Sequence, residues 1–178
     1  AMKILTLLGE KGLLFFALAV VLCGFRRTRK MGVCVFGAVC CGALVTNILL
    51  KDWVARPRPF LSGYAEWWQF VGAPAEDGFS FPSGHATACM AGTLALCLTG
   101  RAKARWGLLA FPALVAASRN YLMAHYPSDV LAGLLIGACA AMIACDITNL
   151  IYKYLHAHEN RRWCRFALRA DARRIFTR

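Results

Sequence analysis

The chain has 178 residues, enough for one domain, and 59% of them are hydrophobic, with a mean hydropathy of +0.51. That is too apolar for an ordinary soluble domain, yet the formal net charge is +12, and it is knotted: RRTRK at 26–30, RAKAR at 101–105 and seven arginines from Arg161 to Arg178. A nucleic-acid binder using the basic tail would leave the apolar runs unexplained, so no nucleic-acid partner is expected and a polytopic membrane protein is.

Five apolar runs follow in chain order. The first is GLLFFALAVVLCGF, Gly12 to Phe25; Ile4 to Leu8 extends it across the interruption of Glu10 and Lys11. No small-residue cleavage site follows it, only the first basic knot, so no cleavable leader is expected. (Ala1, ahead of Met2, is set aside as a cloning remnant.) The second run is Met31 to Leu50, the third His85 to Leu98, the fourth Trp106 to Ala117 and the fifth Val130 to about Tyr154. A spanning helix takes ~20 apolar residues, so runs three and four need their flanks to cross. The expected fold class is all-α: one membrane-embedded helix bundle over residues 1–178, with about five transmembrane helices and a basic cytoplasmic tail at 157–178. In the fifth run Gly133, Gly137 and Ala141 repeat every four residues and share one helix face, which predicts close packing inside the bundle.

The three basic knots share the cytoplasmic side only if the chain crosses five times. Residues 51–84 and 118–129 then lie outside, which makes the outer or periplasmic face of a bacterial inner membrane the expected location of whatever they do. Lys51, Arg56 and Arg58 stand against the positive-inside rule there, and charges kept at such a cost are expected to be used.

Three polar segments meet at that face: KDWVARPRP at 51–59, FPSGH at 81–85 and SRNYLMAHYPSD at 118–129. They bring together Lys51, Arg58 and Arg119 as cations, Ser83 as a hydroxyl, His85 and His125 as imidazoles and Asp129 as a carboxylate. Three cations suit a multiply charged anion, and a planar guanidinium suits phosphate. Ser83 predicts an N-cap, with Gly84 leaving room for an anion at the helix N-terminus. The imidazoles offer a nucleophile and an acid. Pro127 predicts the first helical position, with Asp129 in the first turn and within reach of a nitrogen of His125. Taken singly these residues are ordinary. Lys51 alone reads as a snorkelling anchor, Tyr126 and Trp67–Trp68 as interface anchors, and His156 and His158 carry no chemistry. Arg56 reads equally as a contact to a second phosphate or a lipid head group, or as an anchor.

Lys51-x6-Arg58-Pro59, Pro82-Ser83-Gly84-His85 and Ser118-Arg119-x5-His125-x3-Asp129 together resemble the three-part signature of the type 2 phosphatidic acid phosphatase superfamily. Many bacterial members have six membrane helices, whereas five apolar runs are counted here. The resemblance implies a membrane lipid phosphate phosphatase that needs no metal or other cofactor. It implies that His125 attacks phosphorus and forms a phosphohistidine, that Asp129 orients it, and that His85 protonates the leaving oxygen and then helps activate water. Lys51, Arg58, Ser83, Gly84 and Arg119 would hold the phosphoryl oxygens. The substrate class implied is an isoprenoid pyrophosphate, phosphatidylglycerophosphate, phosphatidic acid or lipid A phosphate. A vanadium haloperoxidase shares the constellation but is soluble, against the five apolar runs. A non-catalytic scaffold would have no use for seven costly polar residues.

The nine cysteines are odd in number. Cys23, Cys34, Cys40, Cys41, Cys89, Cys97, Cys139 and Cys145 lie in or beside apolar runs without CxxC or a zinc pattern, so no structural disulfide and no metal site are predicted.

Overall fold

Each apolar run folds as a helix in the computed structural model, which describes residues 12–63, 66, 69 and 77–172. Helix α1 is Leu13–Gly24. Helix α2, Arg29–Ala43, continues through a π-helical stretch, Leu44–Leu50, into a last α turn, α3, Lys51–Val54. Helix α4 is Gly84–Thr99; a 3-10 stretch, Lys103–Leu109, leads into α5, Ala110–Tyr121. The longest helix, α6, is Pro127–Ala157, and a short α7, Arg162–Arg169, lies beyond its end. Among the described residues there is no strand. The segment before Gly12, the Trp67–Trp68 pair and the arginines beyond Ala172 lie outside the described residues.

Two helices are long and apolar enough to cross a membrane, Arg29–Leu61 and Pro127–Ala157. A buried core helix of a soluble protein would pass the same length test, but only 33% and 39% of their apolar windows are buried. Leu131, Leu135, Met142, Ile147 and Leu150 of α6 are instead exposed. An apolar face of that extent left outside a bundle is compatible with a lipid-facing surface. Helices α1 and α4 are shorter apolar helices of 12 and 16 residues. At 1.5 Å per residue these are about 18 and 24 Å long, short of a ~30 Å hydrocarbon core.

The bundle closes on small side chains. Ala38, Ala88, Ala91, Ala95, Ala141 and Ala144 form much of the buried cluster, with Phe15, Val35, Val39 and Val115 filling between. Small residues let backbones approach closely, and the glycine stripe of α6 takes this furthest. A Cβ at Gly133 would lie 2.6 Å from the Ser83 carbonyl oxygen, and one at Gly137 would lie 2.5 Å from that of Thr87. The stripe therefore faces α4 inside the bundle. Gly137→Val is expected to cost about 1–3 kcal/mol by overpacking, read as a lower unfolding temperature in detergent. An unchanged unfolding temperature would mean that the α4–α6 contact yields freely.

One prediction is corrected. Cys34 of α2 and Cys145 of α6 form a disulfide with a Cα–Cα distance of 5.2 Å, where none was expected. The partners are 111 residues apart in sequence and meet only because α2 packs on α6, so no local spacing announces them. The other seven cysteines are free.

Candidate active site

The site lies where α3, α4 and α6 present their ends. Helix α3 stops at Ala55, which takes a left-handed conformation with φ 47°. That turns the chain sharply, and the next residues aim Arg56 and Arg58 inward. Arg58 is 3% exposed. Its guanidinium donates to the carbonyls of Gly78 at 3.0 Å, Asp77 at 2.9 Å and Ala124 at 3.1 Å. One side chain thus ties the 77–80 segment to the loop that carries His125. A side chain at Gly78 would meet Lys51 Cε at 3.6 Å and Nζ at 4.0 Å, so Lys51 reaches over the same segment.

Helix α4 starts as its sequence predicts. Ser83 is the fully buried N-cap and accepts from the Ala86 N–H at 3.5 Å. Gly84 and His85 are half-buried in the first turn. The Ser83 N–H donates to the Asp129 carbonyl at 3.0 Å, which locks the start of α4 to the start of α6. Behind the cap, Thr46 Oγ1 donates to Thr87 Oγ1 at 3.1 Å, and Thr87 Oγ1 donates to the Ser83 carbonyl at 3.0 Å. Thr46 belongs to the π-helical stretch, whose wider turn also brings Asn47 Oδ1 to 3.4 Å from where a Gly84 Cβ would be. Such π turns recur at functional sites.

Arg119 closes α5 and is fully buried beside Ser118. Met123, left-handed with φ 52°, turns the chain so that His125, 4% exposed, points back at the loop before α4. His125 Nδ1 lies 2.7 Å from the Ser80 carbonyl oxygen. A carbonyl only accepts, so this contact places the ring proton on Nδ1 and leaves the lone pair on Nε2.

Pro127 opens α6 and Asp129 sits in its first turn, fully buried. Here the structure departs from the direct pairing expected between Asp129 and His125. Asp129 Oδ2 is 4.0 Å from His125 Nδ1, beyond hydrogen-bond range. The carboxylate instead accepts from the Tyr126 N–H at 3.0 Å, from Ser80 Oγ, and from Arg56 Nη1 at 2.6 Å. Ser80 thereby joins the two: its hydroxyl holds Asp129 and its carbonyl holds His125.

Three residues were thus missed or undervalued in the sequence. Ser80 is fully buried and carries no distinguishing spacing. Arg56, read as a contact to a second phosphate or a head group, or as an anchor, forms an ion pair with Asp129 at 2.6 Å. It also bonds Ser128 Oγ at 2.8 Å and stacks 3.9 Å over the Tyr126 ring. Tyr126, read as an interface anchor, is part of this rim, with its hydroxyl 2.9 Å from Ser62 Oγ. Among the described residues no three His, Cys, Asp or Glu side chains form a metal-ligating group.

The arrangement is a helix bundle with guanidiniums, imidazoles and one carboxylate gathered at a Ser-capped helix start. The PAP2 superfamily model matches residues 31–153, and the chain belongs to that superfamily. It is 34% identical over 131 residues to an undecaprenyl-diphosphatase of Sulfolobus acidocaldarius, covering 70% of this chain and 59% of that one. It is 30% identical over 138 residues to an undecaprenyl-diphosphatase of Bacillus subtilis, covering 78% and 68%. With a decaprenylphosphoryl-5-phosphoribose phosphatase of Mycobacterium tuberculosis it shares 35% over 136 residues, covering 76% and 71%. The first of these matches spans less than two thirds of its relative's length. The crystal structure of Aquifex aeolicus LpxE has the same fold, with a TM-score of 0.64 at 24% identity over 82% of this chain and 83% of that one.

Proposed function

We propose that the protein is an integral membrane phosphatase that hydrolyses a lipid phosphate or pyrophosphate through a phosphohistidine on His125. The observation that supports this reading is how buried Asp129, His125 and Arg58 are tied to the Ser83-capped start of α4: the Ser83 N–H bonds the Asp129 carbonyl, Ser80 joins Asp129 to His125, and Arg58 bonds the Ala124 carbonyl beside His125, with Arg119 buried at the end of α5. Burying so many ionic groups costs stability unless they act together on a bound anion. In the first step His125 Nε2 attacks phosphorus, the bond to the leaving oxygen breaks, and His85 supplies its proton. In the second step water attacks the phosphohistidine, giving up a proton to His85, and inorganic phosphate leaves. Lys51, Arg58, Arg119 and the N–H groups after Ser83 and Gly84 stabilise the equatorial oxygens as charge develops.

Of the four substrate classes the sequence leaves open, an isoprenoid pyrophosphate has the most support, since two of the relatives above are named undecaprenyl-diphosphatases. Phosphate release by the purified protein, measured against isoprenoid pyrophosphate, phosphatidylglycerophosphate, phosphatidic acid and lipid A, tests both class and preference. Release is expected to persist in excess chelator, because the guanidiniums and Lys51 do the neutralising, and to be inhibited by vanadate. A strict requirement for added magnesium would overturn the roles given to the cations.

Five crossings, with the site at the outer face, complete the proposal. The positive-inside distribution supports it, because the basic knots and the catalytic segments occupy opposite ends of α2 and α6. Cysteines placed at Gly63 and at Lys103 test it, in a background that keeps Cys34 and Cys145 and lacks the free cysteines. Both positions are exposed. An impermeant thiol reagent on cells with a permeabilised outer membrane is expected to label the first and spare the second. The reverse pattern would move the site to the cytoplasmic face.

A further inference from the structure

Helix α7 lies at the far end of α6 from the catalytic groups. Helix α6 has 31 residues, about 46 Å at 1.5 Å per residue, so nothing on α7 touches the phosphate site. Nor is α7 a loose tail. Cys164 is fully buried against the bundle. Arg29, at the start of α2, donates from Nη1 to the Ala167 carbonyl at 2.7 Å and from Nη2 to that of Ala170, capping the last turn of α7. The Ala172 N–H donates to the Gly24 carbonyl at 3.0 Å. The helix is therefore fixed across the end of the α1–α2 hairpin.

Its outward face has an unusual composition. Arg162, Arg165 and Arg169 fall on one side at helical spacing, with Phe166 among them, 74% exposed. These four side chains, with Ala170 and Asp171, line a surface groove of about 500 Å³. Arg169 is paired with Glu159 at 2.7 Å, and that bond holds the Glu159 carboxyl below its ordinary range. Arg165 is braced on the Glu159 and Asn160 carbonyls at 3.4 and 3.2 Å. Arg26 and Arg27 line a neighbouring depression that shares Asp171. An apolar ring exposed among guanidiniums is poorly suited to water and well suited to the boundary between head groups and acyl chains.

A second, separate observation sets the depth. Tyr154, 46% exposed, and Trp163, 53% exposed, stand with ring centroids 6.2 Å apart where α6 gives way to α7. Exposed Tyr and Trp at the end of a lipid-facing helix mark the head-group level. The groove of α7 therefore opens at the height of lipid phosphates.

We infer that α7 forms a binding site for an anionic phospholipid head group in the leaflet opposite the catalytic site, with Arg162 and Arg165 on the phosphate and Phe166 against the glycerol and first acyl carbons. The occupant is a lipid and not an aqueous polyanion, because the groove pairs its cations with an exposed aromatic at head-group depth. A phosphodiester such as phosphatidylglycerol fits, and it is no substrate for a phosphomonoesterase, so the site is separable from the catalytic one.

The test uses the full chain purified in neutral detergent and offered equal amounts of phosphatidylglycerol and phosphatidylcholine, with retained lipid counted by native mass spectrometry. Wild type is expected to enrich phosphatidylglycerol. Arg162→Gln with Arg165→Gln is expected to lower that enrichment about thirtyfold, at about a kilocalorie of surface attraction per arginine. Arg101→Gln with Lys103→Gln, an equal charge change at another basic turn, is expected to keep it. Arg162 is exposed, so Arg162→Gln alone serves if the double variant fails to fold, with a drop of a few-fold expected. The inference is overturned if wild type shows no enrichment, if the α7 variants keep it, or if both charge changes reduce it equally. Displacement of the lipid by a short DNA duplex at equal phosphate concentration would overturn it in favour of an aqueous polyanion.

Discussion

Replacing His125 with alanine is expected to lower kcat by about 10⁴-fold or more and to abolish any trapped phosphoenzyme, while the protein stays folded. The expectation comes from the ring's surroundings. His125 is 4% exposed, and its Nδ1 is held 2.7 Å from the Ser80 carbonyl. That contact orients the ring and fixes the tautomer in which Nε2 is nucleophilic. His85, in the first turn of α4, is proposed as the acid, and the two substitutions should separate by leaving group. With an activated aryl phosphate, whose leaving oxygen needs little protonation, His85→Ala should keep the first step, read as a burst of aryl alcohol with phosphoenzyme accumulating because water activation is slowed, and His125→Ala should show no burst. With an alkyl lipid phosphate both should fail. Near-normal turnover in His125→Ala would sink the nucleophile assignment, and a His85→Ala variant that gave no burst with the aryl phosphate would sink the division of labour.

Residues that act through their own helix ends were legible in the sequence. Ser83 reads as a cap, Pro127 as a first helical residue and Asp129 as a first-turn carboxylate, and each is found so. These are local consequences of which backbone groups a helix leaves unbonded. The helix order was equally readable, because apolar runs broken by basic knots leave little choice. What stayed hidden depends on contacts between distant segments. Ser80 matters because a loop brings it between His125 and Asp129, 45 and 49 residues onward. Arg56 could only be recognised as the partner of Asp129 once the chain had turned at Ala55. That turn, like the one at Met123, uses a left-handed residue where glycine would have been the visible signal. The π-helical stretch before Lys51 has no sequence mark, and the Cys34–Cys145 pair depends wholly on how α2 packs on α6.

Asp129→Asn is expected to reduce kcat on the order of 10²- to 10³-fold, less than the ~10⁴ typical where an acid bonds its histidine directly. The smaller loss reflects the geometry, since Asp129 Oδ2 stands 4.0 Å from His125 Nδ1, too far for a hydrogen bond, and its hydrogen-bonded link to the ring runs through Ser80. The carboxylate accepts from Tyr126 N–H, Ser80 Oγ and Arg56. An amide turns an NH2 donor toward one of these donors and leaves Arg56 without its counter-charge. Removing one member of a buried pair costs roughly 3–5 kcal/mol, and the lower part of that range applies here because Arg56 is 34% exposed. Ser80→Ala supplies the decisive contrast. It deletes the hydroxyl that bonds Asp129 and keeps the carbonyl that bonds His125, so the nucleophilic tautomer survives. A fall of about tenfold in kcat with KM nearly unchanged is expected, as for other residues that steady a reacting group from behind. Ser80→Thr, which keeps a hydroxyl, should recover part of it. If Asp129→Asn turned over like wild type, the carboxylate would be a helix cap and an Arg56 partner only. If Ser80→Ala lost as much as Asp129→Asn, the hydroxyl would be the whole of the link, and Arg56 would have no share in holding the carboxylate ready.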